Sequence, residues 1–188
     1  MYWHRVINGI NKVSKAEQNK LLHEEAYKLL EEKLITIFQL RKEDLKYKYD
    51  FRGKPYLEKS PFYFSISHSE DIVSCIIAKI KVGIDIERIR PINSFAVKKS
   101  LTDFEHSNLL NAKNKEEYFF RLWTLKESFL KVTGYGLSYG MKNIQFNLEE
   151  NKNSRSIFIH SNVKGYTFKQ EKINVNNKEY IVSIALEG

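Results

Sequence analysis

Leu21, Leu22, Ala26, Leu29, Leu30, Leu34, Ile37 and Phe38 recur three and four residues apart with charged residues between them, which predicts an amphipathic helix over 17–39. A polar stretch over 41–50 follows and runs into Gly53-Lys54-Pro55, a turn signal. Phe62-Tyr63-Phe64-Ser65-Ile66 predicts a short strand that breaks at Ser67-His68-Ser69. The apolar run from Ile72 to Ile80 predicts another, pairing with 82–87 across a turn near Lys79-Ile80-Lys81. Pro91 then marks a boundary. Beyond it, Thr102-Asp103-Phe104-Glu105 is a capping box that opens a short helix. A longer helix runs from 114 to 133 and stops at Gly134. The pattern then alternates over 143–149, 155–160, 164–172 and 178–186, with Asn176-Asn177 as a hairpin turn. The expected fold class is α+β. It has two lobes, residues 1–91 and 92–188, each a small, mostly antiparallel sheet with helices.

Length and composition narrow the classes open to such a chain. The 188 residues suffice for one domain or two small lobes with a real core. A hydrophobic fraction of 42% excludes a disordered chain. No apolar run approaches a membrane span and no secretion signal is visible, so the expected place is the cytoplasm, with no membrane partner. The single cysteine, Cys75, rules out an intrachain disulfide framework and reads as a small core residue. The net charge of +8 favours anionic partners: nucleic acid, phosphorylated small molecules or an acidic protein.

Four segments carry candidate chemistry. In Val82-Gly83-Ile84-Asp85-Ile86-Glu87 the two acids lie two apart on a strand and so face the same side. Like charges so placed repel unless a cation lies between them, and a hard divalent metal such as Mg²⁺ suits a carboxylate pair. Two solvated acids at a strand end are the bland alternative. Gly53-Lys54-Pro55 could hold a phosphate or nucleotide, with Lys54 a cation at the tip, or be an ordinary surface turn. Ser67-His68-Ser69 gathers small polar groups after a strand, where His68 can donate to a phosphate oxygen or serve as a structural histidine. Phe119 to Lys131 has a buried stripe, with Glu127 and Lys131 an i,i+4 ion pair on one face. Gly134-Tyr135-Gly136-Leu137-Ser138 follows as a hinged exit.

In order and spacing these segments resemble the 4′-phosphopantetheinyl transferase superfamily, specifically the long, two-lobed, monomeric, surfactin-synthetase-activating-like class. The match runs from Gly53-Lys54-Pro55 through Phe64-Ser65-Ile66-Ser67-His68-Ser69, Val82 to Glu87 and Leu122-Trp123-Thr124-Leu125-Lys126-Glu127-Ser128-Phe129-Leu130-Lys131 to Gly134-Tyr135-Gly136-Leu137-Ser138. The resemblance implies two similar lobes related by a pseudo-two-fold, with the active site in the cleft between them. It implies coenzyme A as donor, a serine of an acidic apo acyl or peptidyl carrier protein as acceptor, and adenosine 3′,5′-bisphosphate as second product. By the same resemblance Asp85, Glu87 and Glu127 would bind Mg²⁺, and Lys131 would contact the coenzyme A phosphates. Ser67 and His68 would bind phosphate, and Gly53, Lys54 and Pro55 would border the adenine nucleotide. An acid at position 87 fits the long class. Glu127 is the candidate general base, with a metal-bound water as the alternative, and Lys131 would pair with Glu127 when no ligand is bound. Asp85, His68 and Lys131 complete the catalytic set.

One departure stands out. The first helix carries Leu21, Leu22 and His23 where relatives place an Arg for the 3′-phosphate, and Lys12, Lys15, Lys20 and His23 are the available substitutes. For the carrier, the segment from Arg88 to Leu110 is the expected docking surface, with Arg90, Phe95, Lys98 and Lys99 on it. A basic nucleic-acid-binding domain, an inactive relative and a Mg²⁺-dependent nuclease are the competing readings. Scattered lysines count against the first. Retention of Asp85, Glu87, Glu127, Lys131 and His68 counts against the second, and the ordered motifs against the third.

Overall fold

The computed structural model of the chain describes residues 1–150 and 157–188. Strand β1, Tyr2–Val6, comes first, and the periodic apolar stripe after it forms helix α1, Lys15–Thr36. Ser14 opens α1 as half of a capping box with Glu17, and the N–H of Ile37 closes it on the Lys33 carbonyl. Leu22, Ala26, Leu29, Leu30 and Leu34 form its buried face, which lies against β4 (Tyr63–Ser69) and β5 (Ile72–Ala78). Each of the four leucines contributes roughly 1.5–3 kcal/mol on burial. The 41–62 region adds a small hairpin, β2 (Tyr47–Tyr49) with β3 (Pro55–Leu57).

Strand β6 is Val82–Arg88, and helices α2 (Ser94–Ser100), α3 (Asp103–Asn111) and α4 (Lys115–Thr133) follow it. Strand β7 (Phe146–Glu150) pairs antiparallel with β8 (Ile157–Ser161), and β9 (Tyr166–Val175) and β10 (Lys178–Glu187) follow. The expected strand over 155–160 is described only from Ile157 onward; residues 155 and 156 lie outside the described residues. The turn at Asn176-Asn177 holds both residues at positive φ, 51° and 60°, as a two-residue hairpin turn requires.

The same topology occurs twice. One sheet has the order β1-β5-β4 and the other β6-β10-β9, all antiparallel. In each the first strand pairs with the last, a long helix follows the first strand, and two short antiparallel strands precede the final pair. The α+β expectation of two similar lobes therefore holds.

Two local expectations are corrected. Strand β4 does not break at Ser67-His68-Ser69 but runs to Ser69, because its backbone stays paired with β5 as far as Ile72, and Ser65, Ser67 and Ser69 also accept from N–H groups of the neighbouring β6. Strand β5 does not pair with β6; it lies between β1 and β4, while β6 pairs with β10 about a hundred residues away. A two-residue turn can join paired strands, but burial decides which edges meet. The chain thus passes from one sheet to the other between β5 and β6, ahead of Pro91. Strand β1 and helix α2 had no clear signal in the pattern: β1 is only half-buried and α2 spans 7 residues.

An apolar cluster joins the two halves. Ile72 and Ile76 of β5 pack with Val82, Ile84 and Ile86 of β6 and with Tyr180 and Val182 of β10. With its even-numbered side chains in that cluster, β6 turns Gly83, Asp85 and Glu87 to the other side, where α4 lies. Helix α4 approaches closely: a Cβ on Gly83 would fall 2.0 Å from the Ser128 carbonyl oxygen.

Candidate active site

Helix α4 starts on Asn114, whose side chain accepts from the Glu117 N–H, and ends on Gly134, which sits in the left-handed region at φ 70°. This places Glu127 and Lys131 one turn apart, facing the acids of β6. Asp85 is 5% exposed. Its Oδ1 accepts from Lys131 Nζ at 2.8 Å and from Ser67 Oγ at 2.8 Å. Its Oδ2 is buried with no hydrogen-bond partner. Glu87 Oε2 accepts from Ser69 Oγ at 2.8 Å and from Arg90 at 2.7 Å.

The acids strain against one another. Burial and the Asp85 carboxylate raise the Glu87 carboxyl above its usual range, against the pull of Arg90. Burial, then repulsion from Asp85, pushes Glu127 up to about 7, against the pull of Lys131. The expected Glu127–Lys131 ion pair is a correction. Lys131 reaches across to Asp85 and to the Ile66 carbonyl at 3.3 Å, because Asp85 is the more deeply buried charge and α4 leans onto β6 there.

Among the described residues no three His, Cys, Asp or Glu side chains converge as a ready set of metal ligands. The donor chemistry nevertheless fits a hard divalent cation. Asp85, Glu87 and Glu127 repel one another, and Asp85 has a buried oxygen that nothing satisfies. As the side chains stand, the Lys131 ammonium supplies the positive charge.

A cavity of about 260 Å³ opens beside these groups, lined by Lys54, Pro55, Phe64, Ile66, Glu127 and Lys131. A neighbouring hollow of about 440 Å³ shares Lys54, Pro55 and Phe64 as its wall. Gly53, at φ 84°, turns the 50–54 segment, where Asp50 accepts from the N–H groups of Arg52 and Lys54 at 2.9 Å each. Lys54 is not the free cation at the tip that the turn suggested. Its ammonium folds back onto the Val132 carbonyl at 2.9 Å, satisfying a carbonyl at the C-terminus of α4, and burial brings it down to about 8. Arg52 is the cation at the mouth, with its guanidinium 4.2 Å from the centre of the Tyr135 ring.

Ser67 and His68 do not share a face. Alternation along β4 turns Ser67 inward to Asp85 and the Ile86 N–H, whereas His68 lies on the side of Phe64 and Ile66, half-buried. The Ser67 hydroxyl is therefore occupied and turned away from any ligand that His68 reaches. Burial lowers the His68 pKa, and the charges of Lys131, His23 and Lys15 lower it further. Thus two of the four candidate 3′-phosphate residues, Lys15 and His23, belong to the electrostatic surroundings of His68.

Arg90 is likewise committed inward. It pairs with Glu87 and lies 4.7 Å from the centre of the Phe120 ring. On α2, Phe95 is 70% exposed, and Lys98 and Lys99 make no ion pair among the described residues. Sequence reasoning also missed Lys126 and Glu105, a fully buried ion pair at 2.5 Å. Their only signal was position, since a helical lysine flanked by Leu125 and Phe129 falls within the apolar stripe.

Residues 81–185 match the 4′-phosphopantetheinyl transferase superfamily, and the chain belongs to it. The chain is 36% identical over 150 residues to 4′-phosphopantetheinyl transferase psf-1 of Bacillus pumilus, covering 76% of this chain and 64% of that protein. With 4′-phosphopantetheinyl transferase Sfp of Bacillus subtilis it shares 38% identity over 117 residues, 60% of this chain and 52% of the relative. It thus spans between about half and two thirds of the length of these relatives. Among solved structures, holo-[acyl-carrier-protein] synthase of Thermotoga maritima aligns with a TM-score of 0.40 and 18% identity, over 58% of this chain and 64% of that one. No helix among the described residues is long and apolar enough to cross a membrane.

Proposed function

We propose that this chain transfers 4′-phosphopantetheine from coenzyme A to a serine hydroxyl of an apo carrier protein. The observation that carries the reading is the meeting of Asp85, Glu87, Glu127 and Lys131, from β6 and α4, beside a cavity bordered by Lys54 and Pro55. All four charged groups fall within the region matched to the superfamily.

In the reaction the serine oxygen attacks the pantetheine-side phosphorus of the pyrophosphate. The bond to the adenosine 3′,5′-bisphosphate oxygen breaks, and the serine proton must leave. We assign Glu127 to take it, a carboxyl that burial and the neighbouring Asp85 raise above the ordinary range while no cation is bound. Lys131 and His68 would bind phosphate oxygens, and Lys54, Pro55 and Gly53 would border the nucleotide. Asp85, Glu87 and Glu127 would hold Mg²⁺, which when bound neutralises charge on the pyrophosphate.

The test is the intact mass of an apo carrier protein after incubation with the chain, Mg²⁺ and coenzyme A. The expected result is a gain of one phosphopantetheine, with the rate at least about a hundredfold lower for Glu127→Ala. No mass gain on fatty-acid, polyketide or peptide-synthetase carriers would overturn the reading.

We further propose that the carrier docks on α2, where Phe95 is exposed and Lys98 and Lys99 offer charge to an acidic helix. Arg90, bound to Glu87, supports the acid and is not part of that surface. Lys98→Glu with Lys99→Glu should raise the carrier KM about tenfold, with coenzyme A affinity unchanged. Unaltered carrier kinetics would remove α2 from the docking surface.

A further inference from the structure

Alternate residues of β4 carry a hydroxyl: Ser65, Ser67 and Ser69. Side chains two apart share a face of a strand, and this face runs along the edge of β6 not paired with β10. Three backbone N–H groups of β6 point there. Ser65 accepts from Ile84 at 3.1 Å, Ser67 from Ile86 at 3.3 Å and Ser69 from Arg88 at 3.1 Å. A hydroxyl that accepts still has its own proton to donate. Ser67 gives it to Asp85 and Ser69 to Glu87, in each case the residue just before the N–H it receives. The residue in that place for Ser65 is Gly83, which offers nothing to hold.

Each acid is consequently fixed by one oxygen. Asp85 Oδ1 and Glu87 Oε2 each take a serine hydroxyl and a cation, Lys131 for the first and Arg90 for the second. Asp85 Oδ2, buried, has no partner, and Glu87 Oε1 accepts no hydrogen bond among the described residues. Closing a sheet edge needs only the accepting half of each hydroxyl. The donating half restricts rotation of the carboxylates and leaves one oxygen of each free.

We infer that Ser67 and Ser69 are positioning residues that brace Asp85 and Glu87 for a divalent cation, and that Ser67 is not a phosphate ligand. The inference rests on the proposed reading that these acids hold the cation. Groups that orient metal ligands typically affect metal affinity by about 10–100-fold when removed.

Ser65 is the internal control for the acids, since it closes the same seam without touching one; because it also lines the cavity, coenzyme A affinity is measured for each variant. Mn²⁺ is titrated into the native chain and into Ser65→Ala, Ser67→Ala and Ser69→Ala, with coenzyme A held constant and bound metal read by electron paramagnetic resonance. Urea unfolding of the same proteins reads the cost of the seam. All three variants should lose stability, whereas Mn²⁺ affinity should fall at least about tenfold for Ser67→Ala and Ser69→Ala and stay within about twofold for Ser65→Ala. Ser67→Thr and Ser69→Thr, which keep a hydroxyl, should recover most of the affinity. Equal Mn²⁺ affinities across the alanine variants, an equal fall in Ser65→Ala, or no Mn²⁺ binding by the native chain would overturn the inference. So would loss of coenzyme A binding by Ser67→Ala in the absence of metal. Transfer to a carrier by the native chain is scored separately. Transfer with a flat Mn²⁺ pattern defeats the inference alone, and the expected Mn²⁺ pattern without transfer defeats the functional reading alone.

Discussion

Gly83→Ala should unfold at much lower urea than the native chain, with a loss of more than about 3 kcal/mol, or fail to fold. The position has no room for a methyl group. A Cβ there would lie 2.0 Å from the Ser128 carbonyl oxygen and 2.6 Å from the Val132 backbone nitrogen, both on α4. Backbone atoms of a helix cannot swing aside as the end of a flexible side chain can, so α4 would have to lift from β6. That shift would also part Glu127 and Lys131 from Asp85 and Glu87, so the folded remainder should lose the proposed metal and donor binding together. Equilibrium denaturation followed by tryptophan fluorescence measures the first effect. An unfolding free energy within about 0.5 kcal/mol of the native value would show that the helix sits less tightly on the strand than these distances require.

Lys126→Ala should cost about 3–5 kcal/mol, more than loss of its apolar stem could explain. Lys126 Nζ donates to Glu105 at 2.5 Å, to the Ser100 carbonyl at 2.7 Å and to the Met141 carbonyl at 3.1 Å. Glu105 in turn accepts from the N–H groups of Thr102 at 2.8 Å and Phe146 at 2.9 Å. The pair thus ties the end of α2, the start of α3 and the start of β7 to α4, with neither side chain exposed. Burial depresses the Lys126 pKa, and Glu105 opposes that by favouring the charged form. Removing the ammonium leaves a carboxylate buried with its backbone bonds but without its counter-charge. Lys126→Met with Glu105→Gln should therefore be more stable than the sum of the two single changes predicts, a positive coupling read by a double-mutant cycle in urea. Additive losses would mean that the two charges do not depend on each other.

Several groups that carry the proposed chemistry were legible before any fold was known. Asp85 and Glu87 could be placed on one face because strand alternation is a local rule, and β6 obeys it, with Ile84 and Ile86 packed on the opposite side. The start and stop of α4 were legible for the same reason. Asn114 and Gly134 act within a few residues of the helix they bound. The capping box at Thr102 was read correctly too, but only as a cap; that Glu105 also neutralises a buried lysine depends on α4 passing over it.

Pairings between distant segments were not legible. The runs 72–80 and 82–87 are both apolar, and nothing in either says which edge it prefers. Their separation came from β1 and β4 taking both sides of β5 while β10 pairs with β6. Charged side chains behaved similarly. Lys131 was four residues from Glu127 in the chain, yet its ammonium went to Asp85, the more deeply buried acid. Lys54 was expected as a cation at the tip of its turn, yet while lining the cavity its ammonium also satisfies the Val132 carbonyl 78 residues away.

By itself the sequence determined where the two long helices and most of the longer strands lie, which acids share a face, and the superfamily to which residues 81–185 belong. These follow from backbone periodicity, capping and residue chemistry, all of which act over a few positions. Only the tertiary structure decided that Ser67 braces Asp85, that Lys126 is buried, and that Gly83 must lack a side chain. Each of these depends on which surfaces meet when α4 and β4 close around β6. Partners there are chosen by burial and by the need to satisfy every buried polar group, across distances that no local pattern encodes.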